Sequence, residues 1–109
     1  MKLVIAIVQD DDSVNLVSKL TKEGFRVTKL ATTGGFLRAG NTTLLVGVEL
    51  ENVDKVIGII RNLCETRKQV ITSTSPVAGT TGVFVPYPIE VSIGGATIFV
   101  VDVDKFVKL

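Results

Sequence analysis

At 109 residues, 46% of them apolar, the chain suits one domain with an ordinary hydrophobic core that needs neither disulfides nor metal. Twelve lysines and arginines against eleven acids leave a net charge of +1 spread along the chain, which argues against the basic stripe that grips long DNA or RNA. With no histidine and a single cysteine, Cys64, disulfide frameworks, zinc sites with the usual ligands and imidazole-based catalysis drop out.

The chain opens "MKLVIAIVQDDDS". Leu3 to Val8 is a continuous apolar run rich in β-branched residues, the pattern of a strand covered on both faces. It is too short for a signal peptide or a membrane span, so a soluble, cytoplasmic protein is expected. The polar "QDDDS" offers several N-caps. Val14, Val17 and Leu20 then recur at helical spacing and Gly24 supplies a stop, predicting a helix from about Asp12 to Glu23.

"FRVTKLA", residues 25 to 31, alternates as a strand, with Arg26 and Thr28 on one face. A glycine-rich turn follows, and then "TTLLVGVEL" as a third strand with Gly47 in its interior, where a strand glycine marks a bulge or a close approach to the backbone. Asn52 is placed to cap a second helix whose apolar stripe is Val53, Val56, Ile57, Ile60, Leu63 and Cys64, which makes Cys64 a core residue. From about Arg67 to Pro88 the periodicity dissolves into Ser, Thr, Gly and Pro, a loop long enough to be functional or mobile. "IEVSI" and "ATIFVVDV" then flank Gly94 and Gly95, the signature of a C-terminal hairpin.

The order is β-α-β-β-α-β with a terminal hairpin strand: an α+β, ferredoxin-like sandwich with both helices on one face of an antiparallel sheet. Its strands are apolar on both sides, so the opposite face needs cover, and another copy of the chain is the natural candidate.

Residues 34 to 47 carry the parts of a nucleotide site. Phe36 can stack on a base, the glycines let backbone N–H groups approach phosphate, Arg26 or Arg38 can bind it, Thr28 and Asn41 can meet a base edge, and Gly47 leaves room. The same residues also fit simple turn chemistry, a strand arginine in water, an Asx turn and packing of Phe36 and Leu37 against a neighbour, and no Walker loop or GxGxxG fingerprint is present. Asp10, Asp11 and Asp12 suit a helix start better than a metal site. Lys105 and Lys108 are expected in solvent unless the chain end folds over a cleft between subunits.

"TKLATTGGFLRAGNTT", with "IAIVQDDDS", "VPYPIEV" and "GGATIFV", resembles the PII-like cyclic di-AMP receptor family, and the likeness runs over essentially the whole chain. The resemblance implies a non-catalytic homotrimer that binds cyclic di-AMP in the clefts between subunits, with loops at about 32–42 and 66–88 conveying the bound state to a protein partner. Carried over by residue type, the ligand-binding set is Arg26, Thr28, Gly35, Phe36, Leu37, Asn41 and Gly47, with Phe99 as a further wall. No cofactor, catalytic residue, metal or membrane insertion is implied. Gly24 and Lys108 are the positions where this chain departs from its relatives. Rival readings are a PII-type sensor of ATP or ADP, a nucleotide-cleaving enzyme using the aspartates near residue 10, and a purely structural trimer.

Overall fold

The computed structural model describes the backbone of residues 1–30, 40–76 and 84–109, and the side chains of these apart from 72–76 and 84–87. Eight elements follow in order: β1 (Lys2–Gln9), α1 (Asp10–Lys22), β2 (Val27–Leu30), β3 (Asn41–Val48), α2 (Val53–Cys64), β4 (Arg67–Pro76), β5 (Phe84–Ile93) and β6 (Ala96–Asp102). A single 3-10 turn, Leu50–Asn52, leads into α2. The fold is mixed α+β: a four-stranded antiparallel sheet in the order β2-β3-β1-β6, two helices, and a separate two-stranded ladder of β4 with β5.

The apolar run of β1 is central, as its composition demands. Val4, Ala6 and Val8 point to the helices and are at most 1% exposed; Leu44, Val46 and Val48 of β3 share that side, against Leu16 and Leu20 of α1 and Val56, Ile60 and Cys64 of α2. Each of the valine, leucine and isoleucine side chains among them contributes about 1.5–3 kcal/mol when fully buried. The stripe of α2 follows the predicted spacing at Val53, Val56, Ile60, Leu63 and Cys64, with Ile59 rather than Ile57 packed against the core. That of α1 is rotated: Ser13, Leu16 and Leu20 face inward with Val17 beside them, while Val14 is 68% exposed. Residues 13, 16, 17 and 20 form a single helical face, and seating the larger leucines leaves Val14, one step round, in water.

Helix α1 begins at Asp10 rather than Asp12, and no side chain caps it. The aspartates are engaged elsewhere. Asp10 accepts a hydrogen bond from the buried Thr42 hydroxyl on β3, and Asp12, nearly buried, pairs with Arg67. The helix ends in a Schellman turn: the Gly24 N–H donates to the Thr21 carbonyl (3.0 Å) and the Phe25 N–H to that of Leu20 (2.9 Å). Gly24 takes the positive φ of 91° that this turn requires, and Phe25 packs back on the core.

Two expectations are corrected past residue 66. The stretch read as patternless contains β4 and the start of β5, and the two pair from Arg67↔Ile93 to Pro76↔Phe84. The C-terminal hairpin across Gly94 and Gly95 does not form: β5 turns back on β4, whereas β6 joins the main sheet beside β1. The two glycines are therefore the joint between an arm and the sheet. Both have positive φ, 81° and 95°, and a Cβ on Gly94 would lie 2.5 Å from the Arg67 guanidinium and 2.6 Å from the Glu65 carbonyl oxygen. The arm root is pinned at four points. Arg67 reaches Asp12 (2.8 Å) and the Glu65 carbonyl (3.1 Å), the Gly94 N–H donates to the Gln9 side-chain oxygen (2.8 Å), and the Gly95 N–H to the Cys64 carbonyl. The molecule measures 66 × 25 × 21 Å, a length that the projecting arm explains.

The sheet face away from the helices is covered by no element among the described residues. Following the registers, it carries the rows Gly47, Leu3, Val101; Thr28, Leu45, Ile5, Phe99; and Leu30, Thr43, Ile7, Thr97. Leu30, Phe99 and Val101 are 43%, 53% and 41% exposed.

Candidate functional site

At the end of the sheet where β1 begins and β3 ends lies an open cleft of about 880 Å³. Besides the start of β1 and the entry to α2, four pieces of chain meet there. The Schellman turn brings Gly24 and Phe25, the entry to β2 brings Arg26 and β2 itself Thr28, the end of β3 brings Gly47, and the final segment brings Val103, Phe106 and Lys108. One step beyond the Val27↔Val46 pair, the β2–β3 register sets Arg26 level with Gly47, whose other neighbour is Leu3. Gly47 is a notch. An added Cβ would meet nothing within 4 Å, so a side chain there would occupy the cleft rather than clash with its wall.

The charges of the cleft divide into paired and unpaired. Glu23 is held by Lys19 (3.1 Å) and Lys55 (3.4 Å), and the hydrogen bond and proximity of Lys19, then of Lys55, keep its carboxyl below the usual range. Glu49 faces the chain's amino group at 4.0 Å. Lys55 also sits over the Phe25 ring, 5.7 Å from its centre. Among the described residues, Arg26 and Lys108 have no acidic partner. A cleft whose acids face cations and whose Arg26 and Lys108 have no acidic partner among the described residues favours an anion.

Of the residues singled out in the sequence, the structure brings Arg26, Thr28 and Gly47 together. Asn41 and Phe99 stand apart. Asn41 is exposed at the opposite end of β3, roughly 20 Å from Gly47 along the strand. Phe99 is level with Thr28 but on β6, three strand spacings or about 14 Å across the sheet. Gly35, Phe36 and Leu37 lie outside the described residues. The chain end does fold back: the Val103 N–H donates to the Met1 carbonyl (3.2 Å), and Lys108, although exposed as expected, lines the cleft. Phe106, Lys55 and Asn52 are cleft residues that sequence reasoning did not single out. The signal for Phe106 is faint, a lone aromatic in the "VDKFVKL" that follows the last strand.

Other chemistry is sparse. Cys64 is buried, and that burial, reinforced by the Asp12 carboxylate and opposed by Arg67, pushes its thiol up to about 11, so it is no nucleophile at neutral pH. Among the described residues no group of three or more His, Cys, Asp or Glu is arranged to hold a metal ion, and no helix is long and apolar enough to cross a membrane.

A family model described as "cyclic-di-AMP receptor" matches residues 1–109. The chain is also similar to a crystal structure described as that of a functionally unknown protein from Pediococcus pentosaceus ATCC 25745. The two are 44% identical, the match covers 99% of this chain and 96% of that one, and the TM-score is 0.78.

Proposed function

The chain belongs to the cyclic-di-AMP receptor family, and from that premise we propose that it is a cytoplasmic, non-catalytic sensor whose binding sites form at the seams of a PII-like homotrimer. The observation that carries the proposal is the cleft in which Arg26, Thr28 and the Gly47 notch converge. Its volume falls within the range of small-ligand sites, about 300–1,000 Å³. A ligand with two purines and two phosphodiester charges asks for a base-sized gap, groups for a base edge and a few cations, and here Gly47, Thr28, Arg26 and Lys108 are those groups.

The separation of Asn41 and Phe99 from that cleft supports a site shared between copies. No single small molecule touches both ends of β3, so these two residues, with Gly35, Phe36 and Leu37, complete a site whose other half belongs to a neighbour. The bare apolar face supports assembly independently, since a contiguous apolar surface of this kind marks an interface. The strand order β2-β3-β1-β6, with two helices on one face, supports the ferredoxin-like reading. The arm and the turn near residues 32–42 then convey ligand occupancy to an unidentified protein partner, by a shift in their population of conformations.

Titration calorimetry with cyclic di-AMP and ATP in parallel, on protein of measured assembly mass, tests this. Saturable binding of cyclic di-AMP at one site per chain by a trimer is expected. Binding of ATP alone would favour the ATP or ADP sensor, and a monomer would end the shared-site account.

A further inference from the structure

Among the described residues two aromatic rings line the cleft, and they differ in how they are held. Phe25 packs on the core as the closing contact of the Schellman turn and lies under Lys55, so it is already engaged within the chain. Phe106 is 63% exposed, with its ring in the cleft wall. An aromatic ring of this size left largely in water gives up stabilisation that burial would supply. The segment that carries it is nonetheless positioned. Asp102 pairs with Lys2, which holds the Asp102 carboxyl below its ordinary range. Val103 is half-buried and hydrogen-bonded to Met1, and two residues past the ring Lys108 returns to the same cleft.

We propose that Phe106 is a ligand-stacking residue: its ring forms the plate against which one purine lies over the Gly47 notch, while Lys108 and Arg26 meet the adjoining phosphates. This assignment rests on the cyclic-dinucleotide reading and adds to it a third aromatic beside Phe36 and Phe99, carried by the segment after the last strand. It uses the features on which base recognition depends. The ring is exposed, the Gly47 gap in the same cleft holds no side chain, a hydroxyl at Thr28 suits a base edge, and two cations without acidic partners among the described residues line the same cleft. The final segment thereby becomes one wall of the site.

The protein has no tryptophan, which makes Phe106→Trp a clean optical probe. Cyclic di-AMP is titrated by calorimetry into the wild type, Phe106→Ala and Phe106→Trp, with assembly mass and melting temperature measured for each. Phe106→Ala is expected to bind about five- to 150-fold more weakly, the effect of losing one stacked base. Its mass and melting temperature should stay at the wild-type values. Phe106→Trp is expected to retain wild-type-like affinity and to change its emission saturably with ligand. Wild-type affinity in Phe106→Ala, an indole emission of Phe106→Trp that stays unmoved at saturation, or loss of binding only together with a change of assembly mass would each overturn the assignment, the last by giving the ring to packing between copies. A wild type that ignores cyclic di-AMP fails differently, because it removes the functional reading and this assignment together.

Discussion

The two ends of the sheet are built on opposite principles. Where β1 ends, three polar groups are tied into the fold: Asp10 with Thr42, Asp12 with Arg67, and Gln9 with the Gly94 backbone. Where β1 begins, Arg26 and Lys108 lack acidic partners among the described residues, Gly47 leaves a gap, and a phenylalanine stands in water. Similar residue types therefore hold the fold together at one end and stay available at the other. The difference shows which charges serve stability and which serve a ligand, a distinction that composition alone does not make.

The contrast can be broken by substitutions read for both stability and binding. The largest expected effect is at the arm root. Gly94→Ala forces an L side chain into positive φ, at about 1–2 kcal/mol, and drives its Cβ against Arg67 and the Glu65 carbonyl, so chemical denaturation should show a loss above that strain alone. Next is Arg67→Ala, which strands the nearly buried Asp12 carboxylate. The expected loss is about 1–3 kcal/mol, held below the figure for a wholly buried pair because the Arg67 side chain is 45% exposed. At the other end, Arg26→Ala should change stability by less than about 0.5 kcal/mol while weakening cyclic di-AMP binding about tenfold or more, as removal of a charged hydrogen bond does. Equal losses of stability at the two ends would erase the distinction.

The smallest effect is a pH dependence. The Lys19 and Lys55 contacts hold the Glu23 carboxyl below its ordinary value, so the unfolded chain binds a proton more readily than the folded one. This contribution is complete above the unfolded carboxylate pKa and is lost as pH falls through the lower folded value. Glu23→Gln should therefore flatten slightly the acid limb of a stability–pH curve, and an unchanged slope would show that solvent screens the pair completely.

Much of the body was legible from residue patterns. "LVIAIV" announces a central strand, the stripe from Val53 to Cys64 announces α2, and the bare second face follows from apolar residues at both parities of β1. The arm was not legible, for an identifiable reason. Prolines argue against a strand because they cannot donate to a ladder, yet Pro86 and Pro88 are two residues apart, so both missing donors fall on the same edge of β5. In a two-stranded ladder that edge can face outward, away from β4. The GG signal was real but shared by two structures, since positive φ serves a joint between arm and sheet as well as a hairpin turn. Within the site, Arg26 and Thr28 share a face because strands alternate, and Gly47 joins them through register. Phe106 depends on the course of an irregular segment after the last strand, which no periodicity encodes.

The arm's attachment has a mechanical consequence. Ten paired residues project from a root fixed at Arg67 and Gly94, and at strand rise they extend about 33 Å, so a tilt of about 10° at the root sweeps the outer ends of β4 and β5 through about 6 Å. Displacements of a fraction of an ångström among Gln9, Asp12 and Arg67 are thus magnified by leverage. The joint is where a minor rearrangement near the sheet becomes a large excursion at the molecule's extremity.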